Sequence, residues 1–254
     1  MKNNLLKYML SVGLFFFWSA CSYEDSDFGS SNADSGTGGS MARFTIVGDH
    51  LFTVDHENLN VFDISSVEDP EFARESHVGF GVETIFPLGN KLFLGTSSGM
   101  YIYNINDNGV PEKLSFYEHV IACDPVVSDG NYAYVTLSTG RSGCWRSINE
   151  LQIIDLQDLR NPKLLRGYSM ENPRGLAVRN DTLWVCDNGL KVFDISEKEN
   201  IQQLYQFNDL VAYDIILDED RALVIGESGF VQYKLENGTI KKLSEINVES
   251  EQLK

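Results

Sequence analysis

The side chains best suited to chemistry are a few polar residues that recur at matching places in a repeated pattern. Each precedes a short apolar segment, and the matching residues are Glu83, Asp124, Arg174 and either Tyr213 or Asp214. Carboxylates beside an arginine can bind a cation or a sugar. Paired carboxylates can also hydrolyse a glycosidic bond. The pattern predicts a ligand-binding cluster and leaves a carbohydrate-active enzyme as an alternative.

A second candidate is the polar stretch 138–149, which has no equivalent in the other repeats. It places Trp145 between Arg141 and Arg146 in a chain whose formal net charge is −17. An exposed tryptophan flanked by arginines is typical of a hot spot for a protein or glycan partner. The alternative is that Trp145 packs onto its own loop while the arginines neutralise nearby carboxylates.

The cysteines predict one covalent cross-link. Cys144 lies within 138–149, and Cys123 lies in the link that precedes the same repeat, so the topology predicts a disulfide between them. The rival is a two-cysteine metal site, but the four histidines have no ligand spacing to complete it. We therefore predict no metal and no cofactor, and we expect Cys186, at the end of a strand, to be a buried thiol.

These residues are positioned by a five-fold repeat of strand-forming segments. Its signature phrases are Phe62-Asp63-Ile64-Ser65, Tyr103-Asn104-Ile105-Asn106, Ile154-Asp155-Leu156-Gln157, Phe193-Asp194-Ile195-Ser196 and the degenerate Tyr233-Lys234-Leu235-Glu236. Their second residues are 41, 51, 39 and 40 positions apart, and the insertion at 138–149 accounts for the longest spacing. A period near 40 in β-branched and aromatic residues indicates a propeller. Each unit divides into four segments, which predicts a five-bladed β-propeller with four antiparallel strands per blade; a β-sandwich or an open array is the alternative.

The residues before the repeats predict secretion and anchoring. Residues 1–20 have lysines at 2 and 7, an apolar centre and small residues before Cys21, which is the pattern of a signal peptide. Removing this segment, with its two lysines and no acids, leaves a mature charge of −19. Residues 21–42 are acidic and rich in Ser and Gly, which predicts a flexible tether before a propeller domain over 43–254.

The segment that ends at Cys21 resembles a bacterial lipobox, although Trp18 departs from its usual aliphatic residue. This implies lipidation of Cys21, with plain secretion as the alternative. The repeats, the acidic tether and the segment Ala122–Val127 resemble the LVIVD-repeat β-propeller lipoproteins of Bacteroidetes over residues 43–247. Lys234 departs from the aspartate that is usual in that repeat. The resemblance implies a fold and an outer-membrane location, at the cell surface or in the periplasm, but no reaction.

We interpret the chain as an anchored binding or scaffold module for a protein or glycan partner at the cell surface. The strongly negative charge argues against nucleic acid and against membrane contact other than through the lipid. Two further hypotheses stay open: a carbohydrate-active enzyme that uses Glu83, Asp124 and Asp214, and a structural subunit of a surface complex with no small ligand. Binding is favoured over catalysis because carboxylates alone are a generic signal.

Overall fold

The computed structural model describes residues 38–119, 125–139, 148–236 and 238–248, and every regular element in these ranges is a β-strand. The strands form five separate sheets, each of four consecutive antiparallel strands. Each sheet is one blade, and the first strand of each blade is the inner one. The sequence-based prediction of a five-bladed β-propeller is confirmed.

The strand bounds follow the repeat closely. Blade 1 comprises β1 (Phe44–Val47), β2 (His50–Val54), β3 (Asn58–Asp63) and β4 (Glu71–His77). Blade 2 comprises β5 (Val82–Leu88), β6 (Lys91–Thr96), β7 (Gly99–Ile105) and β8 (Pro111–Glu118). Blade 3 comprises β9 (Val126–Ser128), β10 (Tyr132–Leu137), β11 (Glu150–Asp155) and β12 (Lys163–Ser169).

Blade 4 comprises β13 (Pro173–Arg179), β14 (Thr182–Asp187), β15 (Leu190–Asp194) and β16 (Gln202–Phe207). Blade 5 comprises β17 (Ala212–Asp218), β18 (Arg221–Gly226), β19 (Gly229–Glu236) and β20 (Thr239–Asn247). The outer strands run further than the sequence indicated, because their residues are mostly exposed and lack the apolar alternation that marks the inner strands.

The core lies between neighbouring blades. Side chains alternate between the two faces of each strand, so every blade presents one apolar side to the preceding blade and one to the next. Four buried clusters result, and they join blades 1 and 2, 2 and 3, 3 and 4, and 4 and 5. The cluster between blades 4 and 5, for example, packs Trp184 and Val192 against Ile215 and Val224.

The two remaining sides, on blades 1 and 5, are less well covered. The strand register makes Phe44 of blade 1 equivalent to Leu176 of blade 4, and Ile225 of blade 5 equivalent to Cys186. Leu176 and Cys186 are fully buried, whereas Phe44 is 64% exposed and Ile225 is 52% exposed. We refer to these two sides as the seam.

The loops separate into two ends of the propeller. Links between the second and third strands of each blade, and crossovers between blades, lie at one end, which we term the crossover end. Loops at one end of a rigid scaffold are where binding residues usually collect. The described residues of the long link between β10 and β11, 138–139 and 148–149, lie at this end.

Candidate functional site

Three inner strands begin with a local irregularity at the crossover end. The pairing register shifts between Val82 and Thr84 in β5, between Pro173 and Leu176 in β13, and between Ala212 and Asp214 in β17. Such bulges redirect a side chain where regular pairing starts. They place the polar residues of these strands at the mouth of the central axis.

The register also decides between the two alternatives in blade 5. Ile85, Leu176 and Ile215 are equivalent, so Glu83, Arg174 and Tyr213 occupy the same place in their blades. Asp214 lies one residue further along the inner strand. The matching set at the mouth therefore contains Tyr213, and Asp214 belongs to the next layer of the axis.

Arg174 and Tyr213 are in direct contact. The guanidinium carbon of Arg174 lies 4.4 Å from the centroid of the Tyr213 ring. A guanidinium over an aromatic face is attracted by the ring quadrupole, and the stack holds both side chains in one orientation. Glu83 is half-buried at the equivalent place on β5. Asp124, the fourth predicted member, lies outside the described residues.

Asp214 binds a segment of the chain's own N-terminal region. Its Oδ1 accepts a hydrogen bond of 3.0 Å from the Ser40 hydroxyl, and its Oδ2 accepts one of 3.2 Å from the Met41 backbone N–H. Burial raises the pKa of the Asp214 carboxyl, although the hydrogen bonds that it accepts from Ile215, Ser40 and Met41 act in the opposite direction. Both carboxylate oxygens are thus occupied within the protein.

The segment 38–42, which we term the strap, is held by two other blades as well. The Ser40 hydroxyl accepts a 2.8 Å hydrogen bond from the Leu176 backbone N–H of β13. The Ala42 carbonyl accepts one of 2.9 Å from the Ile85 backbone N–H of β5. Ser40 is only 1% exposed. The strap therefore lies in the axis and connects the inner strands of blades 2, 4 and 5.

Close packing around Asp214 requires glycine on both sides. A Cβ atom on Gly39 would overlap the Asp214 carboxylate, and a Cβ on Gly175 would overlap Asp214 from β13. Neither glycine has a positive φ, so the requirement comes from space rather than from backbone conformation. Gly39, Gly175 and Asp214 together define a narrow slot for the strap.

An axial cavity of about 120 Å³ lies beside the strap. Inner-strand residues such as Val127, Leu176 and Ile215 line it together with Gly38 and Ser40. The cavity has room for a few water molecules or a small side chain.

A polar clamp in blade 4 holds the crossover beneath the long link. The buried Asp187 carboxylate accepts hydrogen bonds from the backbone N–H groups of Glu171 and Asn172, and an ion pair of 2.8 Å from Lys191. Lys191 also contacts Glu171 at 3.1 Å. The Lys191 side chain thereby compensates a charge that would otherwise be buried alone.

The long link is anchored at both of its described ends. The Thr139 backbone N–H donates to Asn149 Oδ1 at 2.9 Å, and the Asn149 amide donates to the Glu171 carbonyl. The clamp therefore supports the base of this link. Its predicted binding residues, Arg141, Trp145 and Arg146, lie outside the described residues.

Cys186 is a free, buried thiol, as predicted. Desolvation by burial raises its pKa well above the usual range, so the reactive thiolate is disfavoured. Cys21, Cys123 and Cys144 lie outside the described residues, and the predicted lipidation and disulfide stay predictions. Among the described residues, no group of three or more His, Cys, Asp or Glu side chains is arranged to hold a metal ion.

The strap differs from what the sequence predicted for this segment. The sequence assigned residues 21–42 to a flexible tether, whereas residues 38–42 make specific contacts with the axis. Their composition is that of a linker, and the apolar pair Met41-Ala42 was the one available signal.

In the parts of the chain that the structure describes, no helix is long and apolar enough to span a membrane.

Comparison with known proteins places the fold but not the family. No family model matches the chain, and no curated protein matches it. A crystal structure of a Lactobacillus plantarum protein is similar, with a TM-score of 0.61 and 16% identity over 79% of this chain and 69% of that one. The periplasmic gluconolactonase PpgL of Pseudomonas aeruginosa has a TM-score of 0.60 and 13% identity over 79% and 68%. A chain of the mitotic checkpoint complex has a TM-score of 0.59 and 10% identity over 80% and 64%. At these identities the likeness establishes the β-propeller fold alone.

Proposed function

We propose that the protein is an extracytoplasmic binding or scaffold module, anchored to the outer membrane through a lipid on Cys21. The binding face is the crossover end. The observation that carries this proposal is the stacked pair of Arg174 and Tyr213 at the mouth of the axis. A rigid cationic–aromatic pair on a preformed scaffold is a common element of protein and glycan recognition.

Exposed apolar side chains support a macromolecular partner at this end. Phe80 and Val211 lie in crossovers and Ile148 lies in the long link; Phe80 is 73% exposed, and Ile148 and Val211 are 49% and 43% exposed. Isolated exposed apolar residues are ordinary on a protein surface. These three residues add apolar surface to the crossover end, which also carries the Arg174–Tyr213 pair.

The anchoring part of the proposal depends on the first 21 residues. A positive start, an apolar centre and Ser19-Ala20 before Cys21 fit the export and lipidation of a bacterial lipoprotein. An acidic, Gly- and Ser-rich tether would then carry the propeller away from the membrane. The LVIVD-repeat family of Bacteroidetes lipoproteins has this organisation, and we propose membership of that family.

The hydrogen bonds that Asp214 already makes within the chain favour a protein partner over a small substrate. This carboxylate is one of three that an enzyme mechanism would use, and it is occupied by Ser40 and Met41. The similar propeller in the mitotic checkpoint complex is part of a multiprotein assembly. That likeness supports the proposal only as an example of what the fold accommodates.

Two arginines on one strand give a matched test of the binding face. Arg174 lies at the crossover end of β13, and Arg179 lies at its other end, where it donates to the Glu219 carbonyl. The full chain should be expressed as a lipoprotein and used in a membrane pull-down and on a glycan array. We expect Arg174→Gln to weaken capture of any specific partner about tenfold or more, as for a hot-spot arginine. Arg179→Gln should leave capture unchanged.

The same preparation tests the anchor. Mass spectrometry of the mature protein should find a diacyl or triacyl mass on Cys21, and Cys21→Ser should release the protein into the soluble fraction. Equal capture by the wild type and both arginine variants would refute the binding face. An unmodified Cys21 thiol would refute the anchor.

A further inference from the structure

The contacts of the strap have the form of peptide recognition. The protein supplies a carboxylate that accepts from a hydroxyl and from the next N–H, through Asp214 with Ser40 and Met41. It also supplies a backbone N–H to the same hydroxyl, from Leu176, and a backbone N–H to a carbonyl, from Ile85. All four bonds come from residues more than 40 positions away in the sequence. The strap itself is folded into a turn, which is closed by a 3.0 Å hydrogen bond from the Ala42 backbone N–H to the Gly39 carbonyl. Sites that capture a short peptide combine such main-chain bonds with a specific side-chain pocket.

We infer that the axis of the propeller is a binding site for a short peptide in a turn conformation, which the chain fills with its own residues 38–42. The peptide class is defined by what the site accommodates. Gly is required where Gly39 stands, since a Cβ would overlap Asp214. A hydroxyl is required at Ser40, because it must both donate to Asp214 and accept from Leu176. The inference rests on the proposed function in treating the crossover end as the binding face.

The strap is suited to act as an exchangeable occupant. It belongs to none of the five sheets, so its release breaks no strand pairing. Its ties to the propeller are a few hydrogen bonds, each worth about 1 kcal/mol net. Attachment to β1 gives it a high effective concentration, of millimolar order for a short link. An intramolecular segment with weak intrinsic affinity therefore stays bound and excludes free peptides of the same kind.

Release of the strap opens the site next to the Arg174–Tyr213 pair. The Asp214 carboxylate would then lose its hydrogen bonds from Ser40 and Met41 and could accept from a partner in their place, and Leu176 and Ile85 would offer two backbone donors. A partner that carries a Gly-Ser segment can take these groups while it contacts the crossover end. Binding of such a partner is favoured by any change that weakens the strap, because the occupied state lowers the apparent affinity for a competitor.

Two neighbouring glycines provide the test. Gly39→Ala introduces a methyl group into the Asp214 carboxylate, whereas Gly38→Ala meets only the Ala42 side chain, at 3.3 Å. Both substitutions should be made in the full chain and checked by circular dichroism. Amide hydrogen exchange at Leu176 and Ile85 reports whether the strap is bound. We expect exchange at least about tenfold faster in Gly39→Ala, equivalent to the loss of one or two hydrogen bonds, and no change in Gly38→Ala.

The probe is a synthetic peptide, acetyl-Gly-Gly-Ser-Met-Ala-amide. At millimolar concentration it should restore slow exchange at Leu176 and Ile85 in Gly39→Ala, and it should bind the wild type at least about tenfold more weakly. A peptide with Ala in place of Ser should fail to restore it. The inference is overturned if Leu176 and Ile85 exchange equally slowly in both variants, or if the peptide does not protect them in Gly39→Ala.

A second pair of variants covers the case in which Gly39→Ala does not fold. Ser40→Ala removes both bonds of the hydroxyl, while Ser115→Ala removes a comparable 2.7 Å bond to the Leu159 carbonyl, away from the axis. Peptide protection in Ser40→Ala but not in Ser115→Ala supports the inference, and its absence in both refutes it. Peptide binding that survives in Arg174→Gln, a variant that loses partner capture, separates this site from the proposed binding face.

Discussion

Blade 4 and the seam use the same repeat in different surroundings. Blade 4 has a neighbour on both sides, and its residues Leu176, Leu183 and Cys186 are fully buried. At the seam, the equivalent residue of Leu183 is Leu51, which is half-buried, and that of Cys186 is Ile225, which is mostly exposed. Burial of a repeat residue is thus decided by the blade beside it and not by its own sequence.

This difference gives the strap a structural role in addition to its proposed role in peptide binding. Blades 1 to 5 are joined in order by four apolar clusters, and the seam has less apolar burial than any of those interfaces. The strap connects the inner strands of blades 2, 4 and 5 across the axis. Polar contacts at the axis therefore supplement apolar packing where the ring is weakest.

The largest effect is expected at two equivalent aspartates. Asp187 ends β14 in blade 4 and is buried, whereas Asp55 follows β2 in blade 1 and is exposed. Asp187→Ala removes the acceptor of two crossover N–H groups and the buried one of the two carboxylate partners of Lys191, and should lower the free energy of unfolding by about 3 to 5 kcal/mol.

Asp55→Ala removes only local bonds, which the Asp55 carboxylate accepts from the Glu57 and Asn58 backbone N–H groups and from the Asn58 side-chain amide. It should therefore cost less than about 1 kcal/mol. Urea denaturation of both variants provides the measurement. Equal losses would mean that the neighbouring blade does not control the energy of this position.

The next effect concerns two equivalent leucines. Leu183→Ala in blade 4 creates a cavity in the cluster between blades 3 and 4 and should cost about 2 to 5 kcal/mol. Leu51→Ala at the seam should cost about 1 kcal/mol, because the side chain is already partly hydrated. The same denaturation series measures both, and a similar cost for Leu51→Ala would show that the seam is packed in solution.

A smaller difference in stability is expected between serine substitutions at Cys186 and at Ile225. Cys186→Ser places a hydroxyl in the apolar cluster between blades 4 and 5 and should cost about 1 to 3 kcal/mol. Ile225→Ser changes a mostly exposed position at the seam and should stay within about 0.5 kcal/mol. Thermal melts followed by circular dichroism are sufficient here. A lower melting temperature for Ile225→Ser than for Cys186→Ser would contradict the comparison.

The smallest effect is a pH dependence of opposite sign at two aspartates near blade 5. Burial raises the pKa of Asp214 above its ordinary value of 3.8, so its contribution to stability grows as the pH falls through that raised pKa. A hydrogen bond from Lys242 lowers the pKa of Asp209. That carboxylate stabilises the fold above 3.8, and its contribution is lost as the pH falls through the lowered value.

Denaturation of the wild type, Asp214→Asn and Asp209→Asn between about pH 7 and about pH 3 separates the two signs. On acidification the wild type should gain stability relative to Asp214→Asn and lose stability relative to Asp209→Asn. If the difference in stability between the wild type and Asp214→Asn does not change with pH, Asp214 is not desolvated by the strap and the inner strands.

The repeat made most of the fold predictable, since strand segments, blade number and inner-strand positions follow from local periodicity. The equivalence of Glu83 and Arg174 was predictable from the repeat. The matching residue of blade 5 was predictable only to within one position, as Tyr213 or Asp214. The bulge that decided this lies in the strand register, which apolar patterning does not encode. The strap was beyond prediction because its partners, Leu176 and Asp214, are distant in the chain and its composition resembles a linker.

Each blade is made of one uninterrupted stretch of chain, so a blade is complete as soon as its fourth strand has been synthesised. Ser40 is different, because its partners Leu176 and Asp214 follow it by 136 and 174 residues. At about 5 to 20 residues per second, synthesis of the intervening residues takes roughly 7 to 35 s. The strap is thus synthesised before every blade and docks after the last one, so that its docking marks a finished molecule.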